Sequence, residues 1–208
     1  MEAPYPPPGR KSATIWVIVA AACCWLGAAV GGLYLVWSYD NAPGLPAQAG
    51  PAWPEATTLV RATDRPTLVF LAHPLCDCTR ASLGELAEAL ARATVKPRTY
   101  VVFLKPSSMP DGWEKSALWE SATKLPFTTV VRDEDGRQAE HFGALTSGQT
   151  MVYDAGGKLQ FSGGITSARA HAGDNAGRSS VVAILNNSRP SQPATNVYGC
   201  SLFASAKS

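Results

Sequence analysis

Two cysteines separated by a single residue, Cys76-Asp77-Cys78, stand where an apolar run gives way to a helical pattern. The run Leu68-Val69-Phe70-Leu71-Ala72 has the length and composition of a buried strand, and His73-Pro74 ends it. Beyond the thiols, Leu83, Leu86, Ala87 and Leu90 recur on one face of a helix expected to begin at Cys76 or Thr79 and to reach Ala93. The N–H groups and the positive dipole end at a helix start favour a thiolate. A thiolate is the nucleophile of disulfide exchange and also a soft ligand for Cu(I). The expected chemistry is therefore thiol redox exchange or copper binding. Cys76 and Cys78 can close a disulfide across one residue; so small a ring is expected to be strained and easily reduced, which leans toward oxidant or isomerase behaviour.

The neighbours of the pair carry two readings each. His73 either polarises a thiolate or ligates a metal, or it ends the strand with its ring at the surface. Thr79 and Arg80 either orient a mixed disulfide or cap and solvate the helix. Asp77 opposes the helix dipole by raising thiol pKa values. Arg169, His171, Asp174 and Asn175 form a polar loop that either reaches the thiols or grips a partner, or is solvated with Asp174-Asn175 capping the helix that follows. A copper site would take Cys76 and Cys78 with His73 or His171 as the third ligand. Asp133, Glu134 and Asp135 lack the spacing of a calcium loop and read as a turn. Cys200 resolves a disulfide with Cys76 or Cys78, pairs between two molecules, or stays a free thiol.

The elements that must position these groups follow from pattern. Thr67–Ala72 and Thr99–Leu104 are strands joined through the thiol helix, which implies a right-handed crossover between parallel neighbours. A helix is expected over Trp113–Lys124, a strand over Phe127–Arg132 and a helical turn over Gln138–Phe142. Thr150–Asp154 and Lys158–Ser162 flank Ala155-Gly156-Gly157 and form a hairpin. The last helix spans about Ala176–Leu185. A short helix is a further expectation around Glu55–Ala62.

The chain has 208 residues, of which 16% are charged and 46% hydrophobic, with a net charge of +2. That charge is too small to suggest a nucleic-acid partner, and there is no basic stripe carrying interleaved aromatics. Part of the hydrophobic content lies in residues 12–39, which carry no charge and are bracketed by Trp16 and Trp37. A bilayer-spanning helix needs about 20 such residues with interfacial anchors of this kind. The alternative is a signal peptide cleaved after Ala47-Gln48-Ala49; the long apolar run and the distance of that site from its end favour an uncleaved anchor. Arg10-Lys11 before the span and Asp40 after it place the N-terminus in the cytoplasm and the rest of the chain outside. In a bacterium this is a single pass through the inner membrane with a periplasmic domain, where disulfides persist. The expected organisation is a disordered tail over residues 1–11, the anchor over 12–39, a Pro/Gly/Ala linker over 40–54, a domain over 55–187 and a polar tail over 188–208.

The stretches LVFLAHPLCDCTRASLGELAEAL and SGQTMVYDAGGKLQFSGGIT, with the terminal VYGC, resemble the thioredoxin-like superfamily, and within it the membrane-anchored periplasmic proteins of the RedB type. The resemblance covers about Pro66–Leu185. It implies an α/β thioredoxin-like fold, a central mixed sheet flanked by helices, behind one transmembrane helix. It makes Cys76 the attacking thiol and Cys78 the resolving thiol of a Cys76–Cys78 disulfide. Two departures stand out. Thr79 and Arg80 fall where the family has its second cysteine and the next residue, and Gln149-Thr150 takes the place of its cis-proline dipeptide. The implied function is a thiol–disulfide oxidoreductase that needs no cofactor and acts on protein thiols or disulfides, such as clients of cytochrome or metalloprotein maturation. The alternative is a Cu(I)-binding metallochaperone domain. A peroxiredoxin-type peroxidase ranks behind both, because His73-Pro74-Leu75-Cys76 lacks the threonine of that pattern.

Overall fold

The computed structural model describes residues 11–203, with side chains from residue 14 onward. The expected N-terminal tail up to residue 10 and the last five positions lie outside the described residues. The chain divides into two units, residues 1–40 and 41–208. The first contains α1 (Lys11–Asp40). Its apolar stretch of 27 residues, Thr14–Asp40, is about 40 Å long at about 1.5 Å per residue. That is long and apolar enough to cross a hydrocarbon layer about 30 Å thick with some tilt, and it is consistent with a single-pass membrane anchor.

The second unit is a five-stranded mixed sheet with helices on its faces. In chain order it holds β1 (Thr67–Ala72), α2 (Asp77–Arg92), β2 (Arg98–Lys105), α3 (Ala117–Thr123), β3 (Thr128–Glu134), α4 (Arg137–His141), β4 (Thr150–Tyr153), β5 (Leu159–Gly163) and α5 (Ala176–Leu185). The spatial order is β3-β2-β1-β4-β5. β1 pairs in parallel with β2, and β2 with β3, while β4 runs antiparallel to both β1 and β5. This is the thioredoxin-like fold.

β1 is central and buried at every position, because both faces of the sheet are covered. Its side chains alternate between two cores. Leu68, Phe70 and Ala72 face Leu83, Leu86 and Leu90 of α2 and Val181 and Leu185 of α5. Val69 and Leu71 face the other core, with Phe142 just beyond α4 and with Trp53, Leu59 and Leu202. Leu86 is completely buried in the first core. Leu86→Ala is expected to lower stability by about 2–5 kcal/mol, the range for such truncations. Urea unfolding of the second unit should show a lower midpoint at unchanged slope.

Three local expectations change. Residues 55–62 form turns and no helix; Trp53 and Leu59 dock on the second core and hold this segment as a strap. The helix expected from Trp113 starts at Ala117, where Ser116 caps it by accepting the Leu118 N–H. Asp133 belongs to β3, and its carboxylate accepts the N–H groups of Gln138 and Ala139 at the start of α4.

The stretches read as linker and tail are both held on the sheet. Gln48 N–H donates to Gly143 and Trp53 N–H to Gly157. Val197 and Leu202 are buried, and the Gly44 N–H donates to the Val197 carbonyl at 2.8 Å.

Candidate functional site

The site is built where β1 ends. His73-Pro74-Leu75 turn the chain, the Cys76 N–H donates back to the His73 carbonyl, and Cys76 becomes the N-cap of α2 in extended conformation. Its carbonyl accepts the Thr79 N–H at 3.0 Å. Its side chain makes no capping bond, so the first N–H groups of the helix are left to favour negative charge on sulfur. Cys76 is 1% exposed and Cys78 is 9% exposed, while Cys200 is exposed; all three are free thiols.

The expected candidates fall into place unequally. Thr79 is buried and shares a 2.6 Å hydroxyl–hydroxyl hydrogen bond with Ser147. Ser147 also accepts the His73 N–H at 2.8 Å. Arg80 is exposed and lines a cleft of about 290 Å³ with Pro74, Leu75, Cys76 and Leu118. Leu75 stands 65% exposed at its rim. Gln149 and Thr150 are buried parts of the scaffold. The Gln149 carbonyl accepts from Leu71 and its amide donates to Ser162, while Thr150 pairs with Phe70 and Gly163. Among the described residues no peptide bond is cis.

The two histidines are turned to other work. The His73 ring stands edge-on to Trp113 with centroids 5.6 Å apart, and its Nδ1 accepts the Leu75 N–H. Burial holds its pKa below the ordinary histidine value, so the ring is neutral near pH 7. His171 is exposed and its Nδ1 bonds the Arg169 carbonyl oxygen. Among the described residues no three His, Cys, Asp or Glu side chains are grouped so as to hold a metal ion. The copper set of Cys76, Cys78 and either imidazole draws no support from this geometry.

The polar loop after β5 combines two of the readings open to it. Asn175 caps α5 by accepting the Arg178 N–H. The same loop also reaches the thiols, with the Ala170 N–H and the Arg169 charge both facing Cys78.

Sequence reasoning missed Ser147, and it left Cys200 open among three fates. Ser147 lies in the quoted stretch SGQT, two residues ahead of the dipeptide compared with the family's proline, and its spacing carried no sign of its role. The Ser147 N–H donates to the Cys200 carbonyl at 2.8 Å. Arg169 donates to the Gly199 carbonyl at 3.0 Å.

The electrostatics separate the thiols. Burial pushes the Cys76 thiol up, but the Cys200 thiol, the Thr79 N–H, the Cys200 N–H and the Thr79 hydroxyl together outweigh it and hold Cys76 below the usual cysteine range. Cys78 is raised, first by burial and then by the charge on Cys76. Cys200 is pushed up to about 12 by the part of it that is buried and by its contact with Cys76.

Because the thiolate is the reacting species, Cys76 alkylation is expected to reach its half-maximal rate at a lower pH than an unperturbed cysteine. Cys78 and Cys200 should reach theirs at a higher pH than an unperturbed cysteine. Iodoacetamide labelling across pH, read by mass spectrometry, checks the order. The same sign makes ionised Cys76 stabilise the fold above its unfolded pKa, a contribution lost as pH falls through the folded value.

No protein-family model matches the chain, and no curated protein matches it. Two solved structures share the fold. A hypothetical protein from Sinorhizobium meliloti superposes with a TM-score of 0.59 at 14% identity, over 77% of this chain and 98% of that one. An uncharacterized conserved protein from Geobacillus kaustophilus gives 0.53 at 14% identity, over 81% and 95%. A secreted Mycobacterium tuberculosis disulfide oxidoreductase homologous to E. coli DsbE gives 0.35 at 15% identity, over 46% and 66%, too distant to bear on the chemistry.

Proposed function

We propose that this chain is a thiol–disulfide oxidoreductase with Cys76 as attacking thiol, anchored in the bacterial inner membrane by α1 with its thioredoxin-like unit in the periplasm. The observation that carries the reading is the setting of Cys76. It caps a helix start, hydrogen-bonding groups that favour its thiolate face it, and it lines a cleft rimmed by exposed Leu75 and Arg80. Such a cleft suits an extended protein segment carrying a cysteine. The apolar rim would take a hydrophobic neighbour, and the guanidinium an acidic one or a backbone carbonyl.

Cys78, buried one residue further along, is the second member of the Cys-x-Cys motif. The polarity of residues 10–40 supports the periplasmic assignment, and the motif supports the RedB-type reading. Clients are protein thiols or disulfides, including those of cytochrome or metalloprotein maturation. The test is exchange between the full chain in detergent micelles and a chromogenic aromatic disulfide. Release of the aromatic thiolate well above the blank, lost on prior alkylation of Cys76, is the expected result. A rate equal to the blank would overturn the reading.

A further inference from the structure

The C-terminal segment does not trail away from the sheet; it is threaded back to the thiols. The Ser162 N–H donates to the Pro193 carbonyl, and the Thr195 hydroxyl to the Gly164 carbonyl at 2.7 Å. Three contacts then bracket Cys200. Arg169 holds the Gly199 carbonyl, the Ser147 N–H holds the Cys200 carbonyl, and Ser201 bridges to Thr146. Buried Leu202 follows, its N–H on the Leu145 carbonyl at 2.9 Å. The approach needs a glycine at position 199, since a Cβ there would overlap the Ser147 carbonyl oxygen. Ser147 in turn is fixed to the end of β1 and to Thr79 of α2. One residue therefore locks the Cys200 backbone to the head of the thiol helix, and the Cys200 N–H and thiol both face the Cys76 sulfur.

We propose that Cys200, rather than Cys78, resolves the mixed disulfide at Cys76, so that the oxidised protein carries a Cys76–Cys200 bond. The inference rests on Cys76 being an exchange nucleophile, as proposed above. Two geometric facts favour Cys200. Cys78 also faces the Cys76 sulfur, but it is the second residue of α2. Closing the one-residue ring would distort the first turn of α2, including the Thr79 N–H bond to the Cys76 carbonyl. Cys200 lies outside any helix, its carbonyl held by the Ser147 N–H, and its thiol faces Cys76. It is also exposed, so an incoming thiol can reach it when the reaction runs in reverse.

The exchange balances as follows. The Cys76 thiolate attacks one sulfur of a substrate disulfide, whose S–S bond breaks. The departing substrate thiolate takes a proton from water, and Cys76 is left in a mixed disulfide. Cys200 gives its proton to water, and its thiolate attacks the Cys76 sulfur. The mixed bond breaks and the second substrate thiolate leaves and is protonated. One substrate disulfide is reduced to two thiols while Cys76 and Cys200 are oxidised to one disulfide. Burial comes first among the causes that oppose Cys200 ionisation in the reduced protein, followed by its contact with Cys76 and the Cys76 charge; the Cys76 charge is gone once Cys76 is in the mixed disulfide.

The test uses the full chain in detergent, with Cys23→Ser and Cys24→Ser to silence the anchor thiols. It is equilibrated in glutathione redox buffers, acid-quenched, alkylated and digested without reduction. The expected product is a peptide pair joining Cys76 to Cys200, with Cys78 alkylated. A disulfide between Cys76 and Cys78, or between Cys78 and Cys200, overturns the inference while leaving the proposed function standing. Full alkylation of all three thiols under oxidising buffer sinks both.

In parallel, Cys200→Ser should accumulate the Cys76–glutathione mixed disulfide, and Cys78→Ser should not. The reverse pattern overturns the assignment even if the peptide map is incomplete.

Discussion

Cys76→Ser is expected to bring disulfide exchange down to the uncatalysed rate, while Cys78→Ser leaves the first, attacking step intact. A hydroxyl at this position does not ionise in the working pH range, so every group that favours a thiolate would act on nothing. The Thr79 N–H and hydroxyl and the Cys200 N–H and thiol face one sulfur, and the α2 dipole adds to them. Neither of the other thiols inherits that setting, because burial and the neighbouring Cys76 raise both. The measurement is stopped-flow release of an aromatic thiolate from the corresponding disulfide, for wild type and the single variants at pH 7. Cys76→Ser retaining substantial activity would move the nucleophile elsewhere and remove the proposed role of the helix start.

The second large effect concerns stability. Glu85 lies on the buried side of α2, 3% exposed. Its carboxylate pairs with buried Arg178 of α5 and accepts the Gly173 N–H at 2.7 Å and the Asn175 amide at 3.3 Å. Glu85→Ala would leave Arg178 buried with one remaining partner, Asp174, whose side chain is 98% exposed. Removing one member of such a pair costs about 3–5 kcal/mol. For a unit of this size that lowers Tm by roughly 6–20 °C. Replacing both members together, Glu85→Leu with Arg178→Met, should cost far less, since no charge is then left unpaired. Differential scanning calorimetry of the three proteins separates the cases. A single variant melting with wild type would show that the pair contributes nothing.

The pair also bears on the site. The loop that Glu85 ties down at Gly173 and Asn175 is the loop that carries Arg169 and Ala170 to the thiols. Loosening it should therefore raise the pH at which Cys78 alkylates, because the N–H and the cation that oppose its upward shift would be lost.

The sequence by itself determined the local pieces. Leu68–Ala72 with His73-Pro74 made a buried strand and its stop, and the recurrence of Leu83, Leu86 and Leu90 made the helix that starts at the thiols. Residues 12–39 were apolar for long enough to be a spanning helix, and Ala155-Gly156-Gly157 made a hairpin. Each of these rests on spacing within one element, where period and turn chemistry act over a few residues. From the strand–helix–strand order the parallel crossover followed, and with it the sheet.

Only the tertiary structure decided what surrounds the sulfur. Ser147 meets Thr79 across 68 positions and His73 across 74, and Glu85 meets Arg178 across 93. Cys200 reaches Cys76 from a stretch whose polar, Pro-containing composition matched that of a tail. A serine, a glycine and a cysteine in irregular chain have no period to announce them. What places them is backbone hydrogen bonding to whichever strand end the fold brings alongside, and burial of Val197 and Leu202 on either side. Those energies arise only once the sheet exists to receive the segment.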